Sequence, residues 1–205
     1  MTINDAWHGI EEWLRSQAPA TYASLPEPAS YDDLDALERQ LGMPCPDRLR
    51  ESLLRHDGSG ELILPIFYRF ATARQIAHEH RQMMAANERR TQQQREQHQE
   101  RPHQFPDPLP SEHLVWNPKW IPVCYDESGN LLFISQGEDE PLGRIGMFDL
   151  DSGGYFEDNP AFLTLTHLLQ ATDNALHAAR FDMWGQWCPY TDDDGFLEWR
   201  EADET

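Results

Sequence analysis

Lysine is almost missing from this chain: Lys119 is the only one in 205 residues. Lysine and arginine together number 16 against 36 acidic side chains, a net charge of −20. The deficit lies mostly in the second half. Residues 102–205 hold 4 basic and 20 acidic side chains, a net of −16, whereas residues 1–101 hold 12 and 16, a net of −4. Such a half repels nucleic acid and anionic lipid and attracts a basic protein, although a solubilising surface would carry the same charge. Cysteine is scarce as well. Cys45, Cys124 and Cys188 are odd in number and far apart, which argues against a disulfide frame or a zinc knuckle and for a reducing cytoplasm. Apolar runs of about 18 residues, the length of a membrane span, are absent. Met1-Thr2-Ile3-Asn4-Asp5 shows no basic region followed by an apolar one, so no secretory signal is expected.

Catalytic signatures are missing too. There is no nucleophile elbow, phosphate loop or dinucleotide fingerprint. His78-Glu79-His80 places its histidines two apart, on different sides of a helix, and reads as solvated histidines rather than a metal site. Asp149-Leu150-Asp151-Ser152-Gly153-Gly154 starts like a calcium loop, but the twelfth position is Pro160 where a bidentate Glu is needed, so a hairpin turn is the better account. The expectation is a protein without enzymatic activity, cofactor or metal.

What is present organises around Leu114 to Ser135. Ile121, Val123 and Tyr125 alternate as on a strand, with Pro122 at its start or on an edge. Asp126-Glu127-Ser128-Gly129-Asn130 makes a turn, and Leu131 to Ile134 resumes with no polar face, as a strand covered on both sides. Trp116 and Trp120 stand just before this hairpin. They either brace the core or, for one ring, floor a partner groove. Upstream, Asn4 is read as capping a helix to about Gln17, and Pro19, Pro26 and Pro28 as a loop. Ser30-Tyr31-Asp32-Asp33 and Thr72-Ala73-Arg74-Gln75 have the form of capping boxes, Pro46 suits the first turn of another helix, and Gly42 and Gly58 stop helices. Glu61 to Phe67 reads as a strand. Beyond Asn87 the apolar side of the helix from Thr72 disappears, and residues 88–112 read as a Gln-rich, then Pro-rich insertion, either more helix or disordered. Downstream, 144–150 and 155–157 read as strands, and Asn159-Pro160 as the start of a helix. Residues 181–205 read as an acidic, aromatic C-terminal extension laid back on the body. The whole is expected to be one α+β domain over 1–205, with a mostly antiparallel sheet from segments near 61–67, 121–126, 131–135, 144–150 and 155–157, flanked by helices.

These pieces carry a family resemblance. Trp116…Trp120-Ile121-Pro122-Val123 with the acidic turn and apolar strand resembles the signature of the SUKH superfamily. That group includes bacterial toxin-immunity proteins and Smi/Knr-type cell-wall synthesis regulators. Leu41-Gly42-Met43-Pro44, Leu49-Arg50-Glu51-Ser52-Leu53 and His56-Asp57-Gly58 are similar to a second family segment, and Gly143-Arg144-Ile145-Gly146 to a third. Many relatives end the second hairpin strand in Asp, where this chain has Ser135. The resemblance implies a SUKH-like fold and a protein-binding role. That role would be immunity against a basic, nuclease-type toxin by occlusion, or else a regulatory scaffold. A basic toxin domain is the expected partner, with no nucleic acid or membrane, and a monomer is favoured. The surface expected to bind it comprises Trp116, Trp120, Asp126, Glu127, Glu138, Asp139, Glu140, Asp149 and Asp151.

Overall fold

A computed structural model describes residues 2–65, 67–100, 116–138, 142–149, 151–182 and 185–202 of the 205. Four helices lead: α1 (Ile3–Gln17), α2 (Pro19–Ser24), α3 (Tyr31–Leu41) and α4 (Asp47–Leu53). A short β1 (Arg69–Phe70) and the long α5 (Ala73–Glu100) follow. The central strands are then β2 (Trp120–Tyr125), β3 (Leu131–Ser135), β4 (Ile145–Asp149) and β5 (Gly153–Tyr155). A 3-10 turn (Pro160–Phe162), α6 (Leu165–Ala178) and strands β6 (Phe181–Asp182), β7 (Gln186–Thr191) and β8 (Leu197–Glu201) complete the chain. The first five strands form an antiparallel sheet in the order β1-β2-β3-β4-β5, and the last three a separate sheet in the order β6-β7-β8. This is the expected α+β architecture. Among the described residues no helix is long and apolar enough to cross a membrane.

Local signals explain most element ends, including where they correct the sequence reading. Thr2, not Asn4, caps α1: its hydroxyl accepts the Asp5 N–H while the Asp5 carboxylate accepts the Thr2 N–H, a complete capping box. Pro19 opens a short helix instead of a loop, because proline at N1 gives up a donor the first turn cannot use. Ser30 and Asp33 close the expected box on α3, and Gly42 ends it at φ 67. Thr72 and Gln75 do the same at the start of α5. Among the described residues of 61–67 no strand forms: Gly60 and Phe67 both take positive φ, and the two-residue β1 comes later. Asn159-Pro160 begins the 3-10 turn, and α6 starts afresh at Thr164, whose side chain accepts the His167 N–H.

The central sheet is buried on both faces. One face carries Ile121, Val123, Leu132, Ile134, Ile145 and Met147 into a core shared with α1, α3, α4 and α6. The other holds Trp116, Trp120, Leu131, Phe133 and Phe148, packed by Met83 and Met84 of α5. Pro122 lies at a bulge in β2, beyond the reach of the two β1 partners, where its missing donor costs no ladder bond. A buried polar clamp ties α1 to the turn after α4. The Glu11 carboxylate accepts from Arg55 Nε and Nη2, both at 2.6 Å, and lies 2.9 Å from His56 Nε2. Burial alone would raise the Glu11 pKa, but the Arg55 and His56 contacts outweigh it and hold the carboxyl below its ordinary value. His80, read as solvated, is buried, with Nε2 3.1 Å from the Pro118 carbonyl; His78 is exposed.

The C-terminal sheet docks on the α1–α2 corner. Leu197 N–H donates to Thr21 Oγ1, Ala20 N–H to the Gly195 carbonyl, and Thr191 Oγ1 to the Gln17 carbonyl. Leu197 and Trp199 enter the main core. Of the aromatics expected to lie back on the body, Trp199 is buried and Trp187 is half-buried, while Trp184 lies outside the described residues.

Candidate functional site

Antiparallel pairing brings two acidic turns to the same end of the central sheet: the β2–β3 turn and the β4–β5 turn. Asp126 builds the first. Its Oδ1 accepts the N–H groups of Ser128 and Asn130, its Oδ2 accepts the Asn130 amide, and Gly129 supplies φ 87. Asp149 builds the second: Oδ1 accepts the N–H groups of Asp151 and Ser152, and Gly153 supplies φ 82. The backbone hydrogen bonds from Ser152 and Asp151 hold the Asp149 carboxyl below its ordinary pKa, so it is charged at neutral pH.

Between the turns lies a cleft of about 350 Å³ lined by Phe67, Tyr68, Tyr155 and Trp187 together with Asp126 and Asp149. Its walls come from three places. Tyr155 ends β5, Phe67 and Tyr68 precede β1, and Trp187 is supplied by β7 of the C-terminal sheet. Phe67 and Trp187 meet at right angles, ring centroids 5.1 Å apart. Phe67 is 40% exposed and Tyr155 39%, so two large rings face the opening. Burial raises the Tyr68 phenol, and the neighbouring Asp126 charge raises it further, with Cys124, Tyr155 and Asp149 adding to it. Arg69 is the neighbouring cation, with Nη2 3.4 Å from Glu127 and its guanidinium over the Tyr125 ring.

The residues expected to bind a partner therefore divide. Asp126 and Asp149 line the cleft, and Glu127 and Asp151 are exposed on the turns beside it. Glu138 is exposed on the β3–β4 connection, at the opposite end of the sheet, while Asp139 and Glu140 lie outside the described residues. Of the described acids, Asp126, Glu127, Asp149 and Asp151 stand at one end of the sheet and Glu138 at the other. Trp116 and Trp120 are 0% and 5% exposed. Trp120 stacks on Phe133 at 4.1 Å and 18°, and Trp116 packs edge-on against Trp120, Phe133 and Phe148. Both rings brace the core, which corrects their place on the binding surface. Phe67, Tyr68, Tyr155 and Trp187 went unrecognised. The available signal was the aromatic content of the tail, read as ballast for the body and not as a wall. Ser135, in the family's acidic position, is buried, and its Oγ accepts the Gly137 N–H.

Among the described residues no group of three or more His, Cys, Asp or Glu is placed to hold a metal ion. The buried Glu11, with Arg55 and His56, has its carboxylate oxygens engaged in clamping α1.

Comparison with known proteins fits this architecture. The pattern of the SMI1 / KNR4 family (SUKH-1) matches residues 28–165, from just before α3 to the start of α6. Over 63 residues, 31% of this chain, the sequence is 38% identical to F-box only protein 3 of Homo sapiens and 35% identical to the glucan synthesis regulatory protein of Neurospora crassa. The matched stretch spans only 13% and 12% of those proteins. With two thirds of its length inside the family pattern, the chain belongs to the SMI1 / KNR4 family (SUKH-1).

Proposed function

We propose that this chain is a non-enzymatic protein-binding domain of the immunity type, which captures a basic, nuclease-type toxin domain and neutralises it by occlusion. The observation that carries the binding reading is the cleft itself, where aromatic walls and two carboxylates open at a sheet end whose adjoining turns add Glu127 and Asp151. A toxin surface built to grip phosphates is basic, and an acidic face both draws it in and competes for the same ground. Exposed aromatics give such a contact its anchors. The immunity role itself rests on the superfamily resemblance.

A second reading is a regulatory scaffold that binds cellular partners with no toxin involved. The 35% identity to a glucan synthesis regulatory protein favours it, over a short stretch. Co-purification with the product of the adjoining coding sequence separates the two. A stable complex with a basic toxin domain, whose activity falls in proportion to the bound fraction, supports immunity. Free toxin activity in the presence of excess protein would end that reading. The purified protein is also expected to show no hydrolase or nuclease turnover with or without divalent metal. Turnover abolished by one polar substitution would refute the non-enzymatic assignment.

A further inference from the structure

We infer that the cleft between Phe67, Tyr155 and Trp187 is an arginine-recognition site, taking a guanidinium side chain from an exposed segment of a protein partner. This deepens the protein-binding reading above and rests on it.

Three observations support it. The first is charge: Asp126 and Asp149 enter the lining from two different turns, and backbone donors hold Asp149 ionised, so a cation is the complementary occupant. The second is shape. Phe67 and Trp187 form a right-angled aromatic corner with Tyr155 nearby, which suits a flat, weakly hydrated cation that can stack on a ring and fork toward a carboxylate. A lysine ammonium, compact and strongly hydrated, uses such a corner less well. The third is strain. Phe67 is a bulky residue at φ 66, a conformation that glycine adopts freely and phenylalanine does not. The ring so placed packs edge-on against Trp187 and still leaves 40% of the residue exposed at the cleft. Strain retained at an exposed aromatic points to a binding role. Trp187 lies outside residues 28–165, so this wall of the cleft is added to the family core by the C-terminal sheet. That addition would give this chain its own choice of partner.

The test is a two-dimensional NMR titration of the full chain with blocked pentapeptides Gly-Ser-X-Ser-Gly, where X is arginine, lysine or the uncharged isostere citrulline. The arginine peptide should shift the amides of Phe67 and Tyr155 and the Trp187 indole N–H. The citrulline peptide should bind about tenfold more weakly, the loss of one charge-assisted contact, with lysine between them. Phe67→Gly keeps the left-handed backbone and removes a wall, and Asp149→Asn keeps the oxygen that holds the turn and removes the charge. Each should weaken arginine binding about tenfold in a chain that still folds and melts cooperatively. Equal binding of citrulline, shifts confined to other surfaces, or no shift at all would overturn the inference. If both variants still bind a basic partner protein as the parent does, the arginine site falls while the protein-binding reading stands. If the arginine peptide occupies the cleft but no basic protein binds, the reading falls and the site stands.

Discussion

Trp120 shows how tightly single positions are specified. Its ring stacks on Phe133, and a Cβ added at Gly154 would land 2.2 Å from it, so glycine is what lets β5 lie against the indole. Gly146, in the glycine-bearing strand that resembles the family's, clears the same kind of space for Phe133, at 2.3 Å. Trp120→Ala should therefore cost about 3–5 kcal/mol in denaturant unfolding, the usual loss for a large core aromatic. A change under about 1 kcal/mol would remove the ring from its bracing role. Asp173 makes a pH-dependent case. Its carboxylate lies against Gly9 of α1, with Oδ1 buried and 3.1 Å from a His177 Nδ1 that hydrogen-bonds the Asp173 carbonyl. Burial raises its pKa despite His177. A carboxyl raised in the folded state favours folding while protonated, and that stability is lost as pH rises through its folded pKa. Asp173→Asn should thus be more stable than the parent at pH 7, with the advantage vanishing near pH 3. Glu11, held low by its clamp, loses its own contribution on acidification in both proteins, so the difference between them reports Asp173 together with its His177 contact. A difference that stays constant with pH would show that the carboxyl is not penalised by burial.

Among elements, α5 is the outlier. Its 28 residues reach about 42 Å at the usual rise, far beyond the sheet it covers. Asn87 ties it to the entry of the hairpin. The side chain donates to the Trp116 carbonyl at 2.7 Å and accepts the Trp116 N–H at 3.0 Å. Of the insertion read at 88–112, residues 88–100 continue α5, and 101–112 lie outside the described residues. Asn87→Ala should cost about 1–3 kcal/mol, since it leaves both backbone groups of Trp116 without this partner. Retained stability in equilibrium unfolding would mean that the tryptophans position themselves without α5. The elements that were legible in the sequence are those with explicit chemistry: two capping boxes, the Gly42 stop, and the hairpin whose second strand has no polar face. Those misread carried two meanings. Proline at 19 can end a helix or begin one, and 61–67 has the apolar composition of a strand but backbone turns at Gly60 and Phe67. In the tail, Leu197, Trp199 and Glu201 alternate with Glu198 and Arg200 after an Asp-Gly turn, which is a strand pattern obscured by acidity. The cleft was half legible. Its acids sit on turns that must be exposed, whereas its aromatics come from three segments that only the tertiary fold brings together.

At the scale of the whole molecule, the topology of the central sheet divides the described acids of its connecting turns between two ends. β2 is about 20 Å long, so the acids of the β2–β3 and β4–β5 turns are separated by that length from Glu138 on the β3–β4 connection. Two surfaces farther apart than the screening length act on a docking partner nearly independently. If a basic partner docks at the cleft, replacing Glu127, Asp149 and Asp151 by their amides should slow association several-fold and flatten its salt dependence. The same replacement at Glu138, Asp139 and Glu140 should do much less. The effect belongs in the on-rate for acids on the rim and in the off-rate for any that is desolvated against the partner. Raising salt from about 0.05 M to about 0.5 M shortens the screening length from roughly 14 to roughly 4 Å, which should erase the difference between the parent and the cleft-side variant. Stopped-flow association with a purified basic partner reads all of this directly. If instead the Glu138-side variant is the slower one, the partner approaches the other end of the sheet, where the Lys119 carbonyl accepts the Gln136 N–H. If neither variant changes the rate at low salt, the acidic half serves solubility and does not steer.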